Sequence, residues 1–174
     1  MITAIIASVL LLIIVPFAFE DVYRLRVITS PSSGTRYMTR FYLRGTPRMA
    51  DGTFPYGPHG AIRTEAHRAK GIGLYLHKIH MSDDRPELHN HPWQWAYALV
   101  LWGGYSEERL TPAGVIRRRI RPGRVVRLNA NDWHRLDLTD GAPSYSLFIA
   151  GPLQQAWGFL DRDTFKFTNS RDYT

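Results

Sequence analysis

The 174-residue sequence predicts an all-β domain, an antiparallel sandwich or barrel, preceded by one hydrophobic helix. Three observations carry that expectation. Residues 2–19 contain no charged side chain. From residue 36 onward, short apolar and aromatic stretches are separated by turn residues about every 6 to 12 positions, the spacing of an all-β fold. The 14 glycines and 11 prolines are spread along the chain, as short strands joined by turns require. Hydrophobic residues make up 44% of the sequence and aromatics 13%, enough for one core. There is no cysteine, which excludes disulfides, thiolate catalysis and thiolate metal ligands.

Taken in order, residues 2–19 (ITAIIASVLLLIIVPFAF) would span about 27 Å as a helix, close to the hydrocarbon thickness of a bilayer. Pro16 falls in the last turn, where a kink is tolerated. A cleaved signal peptide would carry a basic leading segment, absent here, and a better cleavage site than Pro16-Phe17-Ala18-Phe19. A buried core helix would show polar positions on one face. Arg24, Arg26, Arg36 and Arg40 follow the segment, and this bias places the domain on the cytoplasmic side of the membrane. The expected organisation is a single-pass transmembrane anchor over 1–20, a juxtamembrane linker over 21–35 and a β-barrel domain over 36–174.

Within that domain, 36–43 alternates as a strand, and 45–68, rich in Gly, Pro and His, reads as a long surface loop. Strands are expected over 73–80, 93–102, 115–120, 124–128, 133–138 and 144–150, with the chain leaving the 93–102 strand at Gly103-Gly104. Residues 151–159 are read as closing the barrel, with a tail after Asp161 that docks on it. The formal net charge is +7, with much of the excess in Arg117, Arg118, Arg119, Arg121, Arg124 and Arg127. A solvated strand edge or a patch facing anionic lipid explains that run. Nucleic acid is disfavoured as a partner, because no DNA- or RNA-binding motif accompanies the charge.

The chemistry concentrates in the histidines. His89 and His91, at i and i+2, would share one strand face about 7 Å apart, and His134 begins another expected strand. Three neutral imidazoles with an open position suit Fe or Zn, with Mn or Ni as alternatives. His89-x-His91 followed by eleven residues and Gly103 resembles the first motif of the cupins. Pro122-Gly123 and the turn into His134 resemble the second. The pieces LHKIHMSDDRPELHNHPW (76–93), LWGGYSEE (101–108) and GPLQQAWGFL (151–160) resemble a family of small cupin-like proteins of bacteria and phages, over roughly residues 36–173. The resemblance implies a double-stranded β-helix, or jelly roll, and a metal held by His89, His91 and His134. It omits the hydrophobic N-terminus. It also fails at one position: the glutamate that cupins place four or five residues after the second histidine is Trp95 or Ala96 here. That leaves a three-histidine set, as in thiol-dioxygenase-like cupins, or no metal at all.

Strand parity adds candidates. If Ile116 and Ile120 face the core, Arg118 points inward with them and can clamp a substrate anion; a bulge would instead leave it solvated. Tyr75 and His77 share a strand face and are the candidates for proton transfer, although His77 also reads as a satisfied core histidine. Trp93, at the parity of His89 and His91, would wall the pocket. Asp83, Asp84 and Glu87 sit where one of them can accept from an imidazole N–H. The function expected is a membrane-tethered cupin-like domain that binds or oxidises a small anionic molecule at a divalent transition metal. The alternative is a catalytically silent module serving as an accessory subunit of a membrane protein complex. A metal-free, sugar-phosphate epimerase-like use of His77 and Arg118 is a third reading.

Overall fold

A computed structural model describes residues 25–30, 32–44, 72–170 and 172. The expected anchor over residues 2–19 and the expected loop over 45–68 lie outside the described residues. Among the described residues no helix is long and apolar enough to cross a membrane.

Twelve strands and one short 3₁₀ turn (Thr139–Gly141) make up the described chain. The strands are β1 (Leu25–Thr29), β2 (Arg36–Arg44), β3 (Gly73–Ile79), β4 (Leu88–His89), β5 (Trp95–Trp102) and β6 (Tyr105–Thr111). They continue as β7 (Gly114–Ile120), β8 (Val125–Asn129), β9 (His134–Leu138), β10 (Ser144–Ala150), β11 (Gly158–Leu160) and β12 (Phe167–Asn169). They form two six-stranded sheets, ordered β1-β2-β3-β10-β5-β8 and β12-β11-β4-β9-β6-β7. The pairings between these strands are antiparallel. Within them, β3 to β10 run β3-β10-β5-β8 in one sheet and β4-β9-β6-β7 in the other. That order, in which the first strand pairs with the last and the chain steps back and forth between sheets, is the order of an eight-stranded jelly roll. The pairs β1–β2 and β11–β12 extend the two sheets beyond it.

Alternation explains which faces meet. Along β5, Ala96, Ala98 and Val100 are buried while Trp95, Tyr97, Leu99 and Leu101 lie on the other face. Along β10, Ser144, Ser146, Phe148 and Ala150 are buried, and β9 buries His134, Leu136 and Leu138. The core lies between the two inner faces, with Tyr42, Trp93, Val126, Leu128 and Tyr105 packed into it. Small inward residues lie across the β5–β10 ladder from each other or from a ring, Ala96 beside Ala150 and Ala98 beside Phe148. They leave room for the rings of Trp93 and Phe148, whose centroids are 5.2 Å apart.

Some sequence expectations gain detail and others need correction. Within the expected juxtamembrane segment, where 21–28 reads as a strand or stalk, residues 25–29 form β1, whose ladder to β2 runs from Leu25↔Phe41 to Thr29↔Arg36. Trp93 and Gln94 lie before β5, Trp93 making an isolated bridge to Leu153. Residues 105–111, not read as a strand, form β6, because Tyr105 and Glu107 turn inward beneath a charged exterior. The tail after Asp161, expected to dock on the barrel, does so by adding β12 to β11.

Candidate metal centre

His89 and His134 are direct cross-strand partners in the ladder between β4 and β9, so their rings leave the same face of one sheet. Their centroids are 4.6 Å apart. His91 lies just beyond the end of β4, and its ring still reaches 5.2 Å from His89 and 5.0 Å from His134. One nitrogen of each ring lies within 4.8 Å of the others, and the Nε2 atoms of His91 and His134 are 2.8 Å apart. Asn90, between the two histidines, points the other way, where its Oδ1 accepts the Gly158 N–H at 2.8 Å. This contact ties the His89-Asn90-His91 segment to β11.

Two carboxylates set the imidazoles from behind. His134 Nδ1 is 2.8 Å from Glu107 Oε1. Glu107 has no exposed surface, and it is gripped by Arg109 at 2.9 Å on Oε1 and Arg118 at 2.6 Å on Oε2. Burial raises the Glu107 pKa, but the hydrogen bond and charge of His134 and the Arg109 guanidinium outweigh it and bring it down to about 2. An ionised Glu107 can only accept, so His134 donates from Nδ1 and keeps the Nε2 lone pair for the cluster. On the other side His89 Nδ1 is 3.4 Å from Asp83 Oδ2. Burial alone would raise the Asp83 pKa; the charge and hydrogen bond of His89, the Leu136 N–H and Tyr37 lower it. Burial also lowers the His134 pKa, more than Glu107 restores it. The His91 pKa falls well below the ordinary imidazole range through desolvation first, then through the neighbouring histidines and Arg40.

These features fit a divalent transition metal. The donors are imidazole nitrogens, two of them held neutral at physiological pH, and two with partners that orient the ring. Metal–nitrogen bonds of about 2.0–2.1 Å put neighbouring ligand nitrogens about 3 Å apart, so a small closure of the cluster completes the set. Glu107 does not stand in for the missing cupin glutamate, since both its oxygens are already engaged. Neither does anything at 95 or 96: Ala96 is packed in the core, and Trp95 lies against Gly151.

The cluster opens into a cavity of about 150 Å³ between the sheets. Of the candidates read from the sequence, His89, His91, His134, Trp93 and His77 line it, as do Asp83, Asp84 and Glu87. The Trp93 ring stacks on His91 at 5.6 Å. Arg118 does not line it. It pairs across the β6–β7 ladder with Glu107, its side chain 43% exposed, so the substrate clamp read from parity is in fact a clamp on the carboxylate behind His134. Ile116 is exposed at the sheet edge, which removes the premise of that parity argument. Tyr75 is buried and stacks on His77 at 5.9 Å, its hydroxyl pKa raised by burial. His77 accepts from Arg40 Nε through Nε2 at 2.8 Å, and burial followed by the Arg40 charge lowers its pKa well below the usual value. A proton on that nitrogen would break the contact, so the geometry does not favour His77 as a proton carrier.

Sequence reasoning missed Glu107, Arg109 and Arg40. Glu107 sits in the unrecognised strand β6, and its register opposite Leu136, two residues along from His134 on the same face, has no local signature. Arg40 was counted only as a positive charge flanking a membrane span, yet it is buried at 6% exposure and lines the cavity.

No protein-family model and no curated protein matches the sequence. Among solved structures the chain is similar to a cupin-2 domain protein from Rhodospirillum rubrum, at 14% identity over 85% of this chain and 76% of that one, with a TM-score of 0.46. It is similar to hydroxypropylphosphonic acid epoxidase from S. wedmorenis, at 11% identity over 73% of this chain, with a TM-score of 0.45. It is also similar to a variant of Bacillus subtilis oxalate decarboxylase, at 13% identity over 72% of this chain and 29% of that one, with a TM-score of 0.47. The chain spans 55% of the length of the epoxidase. Likenesses this distant decide nothing about the reaction.

Proposed function

We propose that this chain is a cupin-type jelly roll whose His89, His91 and His134 hold a divalent transition metal and act there on a small organic anion, with oxygenase-type chemistry as the reaction class. The observation that carries the reading is the convergence of three imidazoles on one wall of a cavity between the sheets, two of them backed by the carboxylates of Glu107 and Asp83. When bound, such a metal supplies a Lewis-acid centre with open positions for substrate oxygens. The chain's own residues do the rest: Glu107 fixes the His134 tautomer, Trp93 and Phe148 wall the cavity from water, and the lost carboxylate ligand leaves positive charge that an anionic substrate offsets.

The test is metal analysis of the purified full-length protein. One iron or zinc per chain is expected, falling at least tenfold in His134→Ala and His89→Ala, with thermal stability lowered by chelation. Metal-free protein whose stability is indifferent to added Fe²⁺, Zn²⁺, Mn²⁺ and Ni²⁺ would sink the proposal. A second reading, a catalytically silent module of a membrane complex tethered by residues 2–19, draws support from large apolar residues left exposed, Trp102 and Val125 at 61% each. Stable co-purification with membrane proteins in the absence of metal would favour it.

A further inference from the structure

Asp83, Asp84 and Glu87 line the cavity, yet among the described residues none of them comes within salt-bridge distance of one cation buried in its wall, Arg40. Arg40 lies on β2, a strand outside the eight that form the jelly roll, and points inward opposite His77 of β3. Its Nε donates to His77 Nε2 at 2.8 Å, and its guanidinium carbon sits 5.1 Å from the ring centroids of both Tyr75 and Trp93. Arg109, by contrast, pairs with Glu107 and Asp132, and Arg135 and Arg162 reach Glu108. Among the described residues no carboxylate comes within 4.0 Å of Arg40, and no acceptor meets its two terminal nitrogens. Burying a guanidinium this way is costly unless something completes it. Aromatic faces recover only part of that cost.

The arrangement is built to hold the group in one orientation. His77 is kept neutral and accepting, and it fixes Nε; the two rings restrain the guanidinium plane. The terminal N–H groups remain, a fork whose spacing matches the two oxygens of a carboxylate. Trp93 contacts both this fork and the metal cluster, through steps of 5.1 Å to Arg40 and 5.6 Å to His91. A cavity of about 150 Å³, on the order of ten water-sized units, admits a molecule of only a few heavy atoms between them.

We infer that Arg40 is the anion-recognising residue of this cavity and that the ligand it selects is a small carboxylate, held by the guanidinium fork with its remaining atoms directed at His89, His91 and His134. This deepens the proposed function and rests on it for the claim that the bound anion is a substrate. Binding of the anion itself depends on Arg40 and not on the metal ligands.

Calorimetric titration of the full-length protein with acetate, oxalate and malonate, with inorganic phosphate as the competing oxyanion, tests it. Saturable carboxylate binding is expected in the wild type, at least tenfold weaker in Arg40→Met and intermediate in Arg40→Lys. Without ligand, Arg40→Met should melt no lower than the wild type, because it removes an uncompensated buried charge. Should Arg40→Met fail to fold, Arg40→Lys carries the comparison. No carboxylate binding by the wild type, equal binding by the variants, or preference for phosphate over every carboxylate each overturns the inference. Metal content measured on the same samples keeps the two proposals apart. Metal-free wild type that still binds malonate through Arg40 refutes the metal centre alone; metal-loaded protein whose malonate affinity ignores Arg40 refutes this inference alone.

Discussion

Glu107 shows how much can depend on one side chain that never touches the cavity. It accepts from His134, Arg109 and Arg118 at once, with no exposed surface. Glu107→Gln should therefore destabilise the fold by about 3–5 kcal/mol, since it strands a mostly buried arginine, and weaken metal binding about 10- to 100-fold through loss of the His134 tautomer. Arg118→Gln, at a side chain 43% exposed, should cost no more than about 1 kcal/mol. Urea denaturation and metal titration of both variants check the contrast; equal effects would refute it. The same residues set a pH dependence. The folded-state pKa values of His91 and His134 lie below 6.5, so an unfolded chain takes up protons near 6.5 that the folded chain refuses. Stability must then fall as pH drops below about 6.5. Glu107 acts in a lower window: its folded pKa of about 2 against an ordinary 4.5 stabilises the fold above 4.5, and that contribution is lost as pH falls toward 2. Denaturation with chelator present, from about pH 8 to pH 4, should show stability declining on acidification, and a rise would contradict these assignments.

At the scale of elements, the Gly103–Gly104 connection carries the chain from β5 in one sheet to β6 in the other. Gly103 has φ +76°, and a Cβ there would lie 2.3 Å from the Pro143 carbonyl oxygen, a backbone atom that cannot easily yield. Gly103→Ala should cost at least about 2 kcal/mol in denaturation experiments, while Gly123→Ala, with open space around it, should cost less. This connection was readable in the sequence because two glycines follow a long apolar run. So were β5 and β10, short apolar runs bounded by turn residues. β6 was hidden because Ser106, Glu107, Glu108 and Arg109 look like a solvated turn, and only the tertiary ion pairs make Glu107 a core residue. The three histidines were legible by spacing and by resemblance. Arg40 was not, since nothing local separates a buried arginine on an alternating strand from a surface one.

For the whole molecule, β1 changes where the domain starts. A chain cut after residue 20 keeps the β1–β2 ladder, whereas one cut after residue 30 exposes the edge of the strand that carries Arg40. We expect the first to leave the membrane fraction and remain monodisperse, and the second to aggregate, as size-exclusion chromatography would report. Persistence of the shorter truncation in membranes would argue against residues 2–19 as the tether. The smallest strand has the widest reach. β4 is two residues long, yet it is the seam joining β11 to β9, and one of its two side chains is His89. An ion shared by His89 and His134 would rivet that seam shut. Without it, the sheet should breathe there first, so the amides around Leu88 and His89 should exchange with solvent far sooner in chelated protein than in metal-loaded protein, turning a ligand site into a latch for half of the fold.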